Sequence, residues 1–347
     1  MSHDIATING AVAMSYIGQS PWWESSDFAG KLMTDEIATN VEKAAEAANL
    51  NWHVETQPTY LADGRLNPFH QAVVRDIDNA ILGSVGAHTK LVQNEDALSI
   101  VQPLVDEFGA RIETAGALGN GARVWMLVKM PQRLEPVSGD IVDGYGLLRH
   151  AHDNSYALEF IPTLIRVVCR NTMQVAVAAA GGNQTDQGRI FRIKKTRNVS
   201  DRVKEARTLV HRLGEIMQRS EQTFAKMAQT RVNPEQIAHL IEEVFPYYKD
   251  ATGKEVFSKT MDARRKEVAK EIFTSPGAEL AGSNLNTGET TAWAVLNAVA
   301  HYLDHTRPEE AKSLAARKKA QISALFGVNA ATKLLAMSKV SQLVAAA

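Results

Sequence analysis

The chain has 347 residues, a formal net charge of −1, and 45% hydrophobic and 22% charged residues. This composition is typical of a soluble globular protein with one large domain or two ordinary ones, and its near-neutral charge indicates no partner by itself. The single cysteine excludes an internal disulfide and a multi-cysteine zinc site. We see no signal peptide and no apolar run of roughly 20 residues, so we expect a cytoplasmic protein with no membrane partner.

Residues 1–90 are expected to form an N-terminal extension that mixes helix and strand. Helical spacing over residues 35–49, with Thr34 as a plausible N-cap, predicts a helix there. The aromatic and β-branched residues between 52 and 60 favour an extended chain. A short strand pair is expected over residues 69–81, broken by the polar residues in its middle.

A helix is expected over residues 95–108, at the start of a central region that we place at 91–230. Asn94 predicts its N-cap, and acidic residues follow in the first turn, where the helix dipole favours them. Pro103 falls inside the predicted helix and should kink it. Gly109 is a natural stop signal.

An antiparallel sheet is expected next. Alternating residues and a Gly-Asn-Gly turn at 119–121 predict a hairpin over 110–130. A third strand is predicted over 141–151, where two glycines allow a bend, and a fourth over 156–169. The sequence therefore predicts an α+β fold in which a small antiparallel β-sheet (the hairpin plus the third and fourth strands) packs on helices.

Helices are expected to dominate the rest of the chain. Ser200 predicts the N-cap of a long helix whose apolar residues over 203–227 repeat every three or four positions. Such a seam packs either on its own domain or on a neighbouring subunit. Residues 231–347 are expected to form a helical C-terminal region that begins at Asn233 and Pro234.

Positive charge is concentrated between Arg166 and Arg212. This stretch has eleven Lys or Arg residues against three acidic residues, a local balance of +8 in a chain whose total is −1. A concentrated basic surface on a neutral protein is typical of a polyanion-binding site; the alternative is a solvated helix face and a loop. Charge and position give these candidate nucleic-acid-binding residues: Arg149, His152, Arg166, Arg170, Arg189, Arg192, Lys194, Lys195 and Arg197.

Two histidine pairs are candidates for metal sites. His150 and His152 project from one face of a strand beside Asp153, which is half of a metal site, but hydrogen-bonded or nucleotide-facing histidines are favoured. His301 and His305 lie one helical turn apart, and the residue after the first is a tyrosine where a zinc protease needs glutamate, which favours a structural role. The chain has no phosphate-binding glycine loop, and we expect no cofactor and no bound metal.

Several blocks of the chain resemble a phage/plasmid-like family of unknown function that occurs on mobile elements and in bacterial genomes. The blocks are Leu91–Leu98, Ala110–Gly116, Arg123–Trp125, Pro162–Thr172, Thr291–Val299 with Tyr302 and Asp304-His305, and Ser323–Gly327.

The predicted order of helix, hairpin, third strand and basic helical region is also similar to the core of single-strand annealing proteins, which include the phage recombination annealers and the eukaryotic annealing-ring protein. That resemblance implies a homo-oligomeric ring or filament that holds single-stranded DNA by its phosphates and hydrolyses nothing. Its implied partners are single-stranded DNA, further copies of the chain and a phage or plasmid exonuclease. The alternatives are a metal-dependent hydrolase or nuclease using His150, His152 and Asp153, or a phage structural or assembly protein.

Overall fold

The computed structural model describes residues 5–18, 30–155, 157–166, 171–174, 191–192, 199–313, 315–317, 320, 323 and 328–346. Its mixed content, 41% helix and 31% strand, with sheets packed against helices and a helical C-terminal region, confirms the predicted α+β class.

The elements before residue 90 are β1 (Thr7–Ile8), β2 (Ala11–Val12), β3 (Met14–Ile17), β4 (Lys31–Met33), α1 (Asp35–Ala38), α2 (Val41–Ala47), β5 (Val54–Tyr60), β6 (Leu66–Arg75) and β7 (Ile81–Gly86). The side chain of Thr34 accepts a hydrogen bond from the backbone N–H of Ile37, as its predicted N-cap role requires. The predicted strand pair is part of a separate three-stranded antiparallel sheet in the order β5-β6-β7.

The central elements are α3 (Asn94–Leu98), a 3-10 helix (Ser99–Val101), α4 (Gln102–Phe108), β8 (Arg111–Leu118), β9 (Arg123–Val137), β10 (Asp140–Ala151), β11 (Glu159–Arg166), β12 (Asn171–Gln174), β13 (Phe191–Arg192) and α5 (Val199–Gln229). Pro103 lies in the first turn of α4, where the missing N–H costs nothing, so it begins a new helix and does not kink a continuous one. Asn94 makes no cap bond, and the prediction that it caps the helix is wrong.

The predicted hairpin and the two strands after it are neighbours in one larger sheet. This eight-stranded sheet has the order β12-β11-β10-β9-β8-β3-β4, and β13 also pairs with β11. The hairpin turn at 119–121 has positive φ at all three residues, which glycine and asparagine tolerate. The sheet has four strands more than predicted: β3 and β4 come from the N-terminal extension, and the short strands β12 and β13 both pair with β11. The β3–β4 pair is parallel, so the sheet is not antiparallel throughout.

The remaining elements are β14 (Arg231–Val232), α6 (Pro234–Val244), β15 (Tyr248–Lys249), β16 (Glu255–Val256), α7 (Lys259–Thr274), β17 (Thr290–Thr291), α8 (Ala292–His301), a π-helix (Tyr302–Thr306), α9 (Arg307–Glu309) and α10 (Val328–Ala346). α6 begins at Pro234, as the Asn-Pro start signal predicted, and Asn233 and Gln236 form a reciprocal capping box there.

The chain divides into two compact units that are discontinuous in sequence. The first comprises Met1–Pro131, Tyr145–Pro162 and Thr185–Gly214, and the second comprises Gln132–Gly144, Thr163–Gln184 and Glu215–Ala347. Each of the strands β9, β10 and β11 contributes residues to both units.

The apolar stripe of α5 is buried within the chain over its second half. Met217, Phe224 and Met227 are at most 3% exposed. The Phe224 ring lies 4.6 Å from the ring of Trp293, itself fully buried. Of the two alternatives for the predicted seam, this part of α5 therefore packs on its own chain.

Candidate functional site

Most of the predicted phosphate-contacting residues lie outside the described part of the chain. Those are Arg170, Arg189, Lys194, Lys195 and Arg197. The backbone alone is described for Arg166, which pairs with Asn171 of β12, and for Arg192, which pairs with Glu159 of β11. The segment from Arg166 to Arg212 thus begins at the last residue of β11 and ends within the long helix α5.

Arg149, on β10, forms an ion pair with Glu159, the first residue of β11. Its Nε and Nη2 donate to Oε2 of Glu159 at 2.9 and 2.7 Å, and both side chains are largely buried. A paired guanidinium offers little net charge to a phosphate. Sequence reasoning missed Glu159, which lies on the neighbouring strand and is separated from Arg149 by the connection between β10 and β11.

His152 follows the end of β10 and is buried, with 3% of its surface exposed. Its Nε2 lies 2.9 Å from Oδ1 of Asn94, and its ring packs at 4.6 Å, edge to face, on His150. Burial, with smaller contributions from His150 and Arg75, lowers the pKa of His152 to about 3. At neutral pH this side chain is uncharged and brings no cation to a nucleic acid.

Asp153, the third residue of the predicted half metal site, is bound by other groups. Its Oδ2 accepts from Nε of Arg123 at 3.0 Å, and its Oδ1 accepts from the backbone N–H of Ser155 at 2.9 Å. Within the described residues, no cluster of three or more His, Cys, Asp and Glu side chains is placed to hold a metal ion.

A buried arginine completes this region and was missed by sequence reasoning. Arg75, at the end of β6, donates to both carboxylate oxygens of Asp78 at 2.9 and 2.6 Å and to the backbone oxygen of Asn120 at 2.8 Å. Its guanidinium lies 5.3 Å from the ring centroid of Trp52. These bonds tie β6 to the turn between β8 and β9, which stabilises the positions of the flanking strands.

Asn94 links the same cluster to the N-terminal segment. Its Nδ2 donates to the backbone oxygen of Leu50 at 3.0 Å while its Oδ1 faces His152. This double role explains why the side chain is buried and does not cap α3. Because the partners are separated by 44 and 58 residues, no local pattern indicated them.

A second buried polar network lies around the π-helix in the second unit. Oε2 of Glu271, on α7, lies 2.9 Å from Nδ1 of His301, and Thr306 donates to the other oxygen of the same carboxylate. The rings of His301 and His305 are 4.9 Å apart. A carboxylate at Nδ1 fixes the orientation of the imidazole ring of His301.

The same network contains a buried ion pair. Nζ of Lys333, on α10, lies 2.6 Å from Oδ1 of Asp304, and both side chains are almost completely buried. Burial lowers the pKa of Lys333 and Asp304 opposes that shift. The ion pair fixes α10 against the π-helix, and π-helices often occur at functional positions.

A family model described as a domain of unknown function (DUF932) matches residues 81–326, which is more than half of the chain. The chain belongs to the DUF932 family. The match begins at the first residue of β7, so β8 to β11, the basic segment and α5 all belong to the DUF932 domain, whereas Arg75 precedes it. No curated protein and no solved structure matches the chain. None of the described helices has both the length and the apolar character that crossing a membrane requires.

Proposed function

We propose that this DUF932 protein binds single-stranded DNA and anneals complementary strands, as a homo-oligomeric ring or filament, in recombination of the phage or plasmid type. The activity is assigned to the cytoplasm and needs no cofactor. The observation that carries the proposal is the charge of the segment from Arg166 to Arg212, +8 in a chain whose total is −1.

The mechanism is electrostatic. Each Lys or Arg that neutralises a phosphate releases condensed counterions, which makes binding favourable at low salt and sequence-independent. Contacts made only to the sugar-phosphate backbone leave base edges free, and free edges are what annealing needs. The residues assigned to phosphates are Arg166, Arg170, Arg189, Arg192, Lys194, Lys195 and Arg197.

The order of elements supports the proposal independently of charge. A helical segment, the hairpin β8–β9, the strands β10 and β11, the short strands β12 and β13, and then the long helix α5 follow one another along the chain. This is the order on which the resemblance to single-strand annealing proteins rests. This analogy of fold supports single-strand annealing as the function, but it does not identify any residue that contacts DNA.

Arg149 and His152 are left out of the proposed interface. The charge of Arg149 is balanced by Glu159, and His152 is buried and neutral. Replacing either residue is expected to affect folding before it affects binding.

We do not favour the alternative of a metal-dependent hydrolase. Its three candidate residues are engaged: His152 with Asn94, Asp153 with Arg123, and His150 packed against the ring of His152. A metal would have to displace those partners, including the Arg123 cation, which would repel it.

An annealing assay tests the proposal directly. Two complementary oligonucleotides, labelled with a donor and an acceptor fluorophore, are mixed with and without the protein at low salt. The proposal predicts faster strand pairing with protein, no requirement for ATP or divalent metal, and rings or filaments in negative stain that depend on the DNA. Pairing at the uncatalysed rate, at protein concentrations that saturate any binding, would contradict it.

A further inference from the structure

The outer part of the β5–β6 hairpin, residues 58–69, extends beyond the third strand of its sheet, and we call it the β-arm. The third strand of that sheet, β7, pairs with β6 only from His70 onward, where His70 lies opposite Gly86. The backbone oxygen of Phe69 still accepts from the N–H of Ala87, just after β7, at 2.9 Å. Beyond Phe69 the ribbon has two strands, its register shifts between Pro58 and Tyr60, and its last pair is Tyr60 opposite Leu66. Two-stranded ribbons are marginally stable in water by themselves.

The β-arm has four large apolar side chains that are exposed to solvent. Phe69 is 75% exposed and Tyr60 is 63% exposed, and Leu61 and Leu66 are each about half exposed. At roughly 200 Å² for a large side chain, these four expose roughly 450 Å² of apolar surface in total, and Tyr60 and Leu66 lie opposite each other on the two strands. Apolar patches of a few hundred Å² on a monomer are often functional.

Charge discriminates between the possible occupants of this surface. The β-arm contains one acidic and one basic residue, Asp63 and Arg65, so its formal charge is zero. Arg65 donates from Nε to Asp63 at 2.8 Å, and both side chains are more than half exposed. A neutral apolar surface does not suit a polyanion, whose affinity comes from neutralised phosphates.

We infer that the β-arm binds the β-arm of a second copy of this chain about a two-fold axis. An isologous contact requires a self-complementary surface, and an arm that offers one cation and one anion beside apolar side chains meets that requirement. Two arms together present roughly 900 Å² of apolar surface, a size that corresponds to a weak, concentration-dependent association, since stable specific interfaces bury roughly 1,200 Å² or more.

This inference goes beyond the proposed function, because it holds whether or not the protein binds DNA. A two-fold contact joins copies in pairs and does not by itself extend into a ring or filament, so it is separate from the contacts of the proposed oligomer.

Sedimentation velocity of the full chain without DNA tests the inference. Wild type should associate as concentration rises, and the double variant Y60T/F69T should weaken the association constant by roughly tenfold or more, since truncated aromatic anchors dominate interface energies. The matched control is I81T, which removes a side chain of the same sheet that is equally exposed (70%) but lies outside the β-arm. The control should associate like wild type, and circular dichroism should show all three proteins folded.

If the double variant is poorly folded, two variants that change the charge of the β-arm test the same contact. R65E leaves two negative charges on each arm, and D63N leaves one positive charge while its amide oxygen still accepts from the backbone N–H of Arg65. Each variant alone should associate more weakly than wild type at low salt, and an equimolar mixture should associate more strongly than either.

Three outcomes would overturn the inference. One is a wild-type protein that stays monomeric at all concentrations, and another is a Y60T/F69T variant that associates like wild type. The third is a variant that loses affinity for single-stranded DNA without a change in self-association, since that would assign the arm to nucleic acid. Because association is measured without DNA, a protein that fails to bind DNA leaves this result intact.

Discussion

Arg149 donates from both Nε and Nη2 to the same carboxylate oxygen of Glu159. Breaking a buried pair leaves an uncompensated charge, so R149M should lower the free energy of unfolding by about 3 kcal/mol. Urea unfolding at pH 7 measures this. The control K43M removes a solvent-exposed pair with Glu36, and it should change the free energy of unfolding far less than R149M does. A stable R149M protein with weakened DNA binding would instead assign Arg149 to a phosphate.

His152 should make stability depend on pH. Its folded-state pKa, about 3, lies below the ordinary value of 6.5, so its stabilisation is complete above 6.5 and is lost as pH falls from 6.5 towards 3. Between pH 6.5 and 5.5 wild type should lose about 1 kcal/mol more than H152Q, whose amide nitrogen can still donate to Asn94. Equal pH slopes for the two proteins would show that His152 does not titrate this way.

The Asp304–Lys333 pair should behave as a coupled unit. K333M leaves a buried carboxylate and should destabilise the protein by about 3 kcal/mol, whereas the double variant D304N/K333M should recover most of that loss. A double-mutant cycle in urea measures the coupling. Additive effects of the two substitutions would contradict a direct interaction.

Two glycines of β10 should differ sharply in their tolerance of a methyl group. A Cβ at Gly146 would lie 1.9 Å from Cζ of the buried Phe160 ring, so G146A should cost at least about 2 kcal/mol. At Gly144 the nearest atom is the end of the flexible Met217 side chain, at 2.7 Å, so G144A should cost less. Thermal unfolding of the two variants makes the comparison, and equal losses would contradict the packing at Phe160.

Local signals predicted the parts of the fold that depend on neighbouring residues. The Thr34 cap, the Gly109 stop, the hairpin turn at 119–121 and the helix start at Asn233 and Pro234 all depend on residues close to one another in the sequence. In each case a residue type forms hydrogen bonds to nearby backbone groups or tolerates the φ value that the turn requires. The residue type alone is therefore enough to predict the feature.

Long-range contacts could not be predicted in the same way. Asn94 has the residue type of a helix cap, but its partners are Leu50 and His152, and burial against both outweighs the local cap. Gly146 suggested a bend to sequence reasoning, whereas the structure explains it by the approach of the Phe160 ring.

The candidate site was predictable as charge and not as geometry. A count of Lys, Arg, Asp and Glu along the sequence identifies the basic segment, because the count does not depend on which residues are in contact. A count of charged residues cannot show that Arg149 is paired with Glu159 on the next strand. Nor can it show that His152 is uncharged because it is buried.

The central claim is that the basic segment binds single-stranded DNA through its phosphates. Fluorescence anisotropy of a labelled oligonucleotide at several salt concentrations measures it most directly, for wild type, the variant K194Q/K195Q/R197Q and a control, K249Q/K254Q/K259Q, that removes three exposed lysines elsewhere. We predict binding at low salt and a slope of log affinity against log salt that is smaller by about 2 in the first variant and unchanged in the control. No binding at low salt, or the same slope in all three proteins, would contradict the claim.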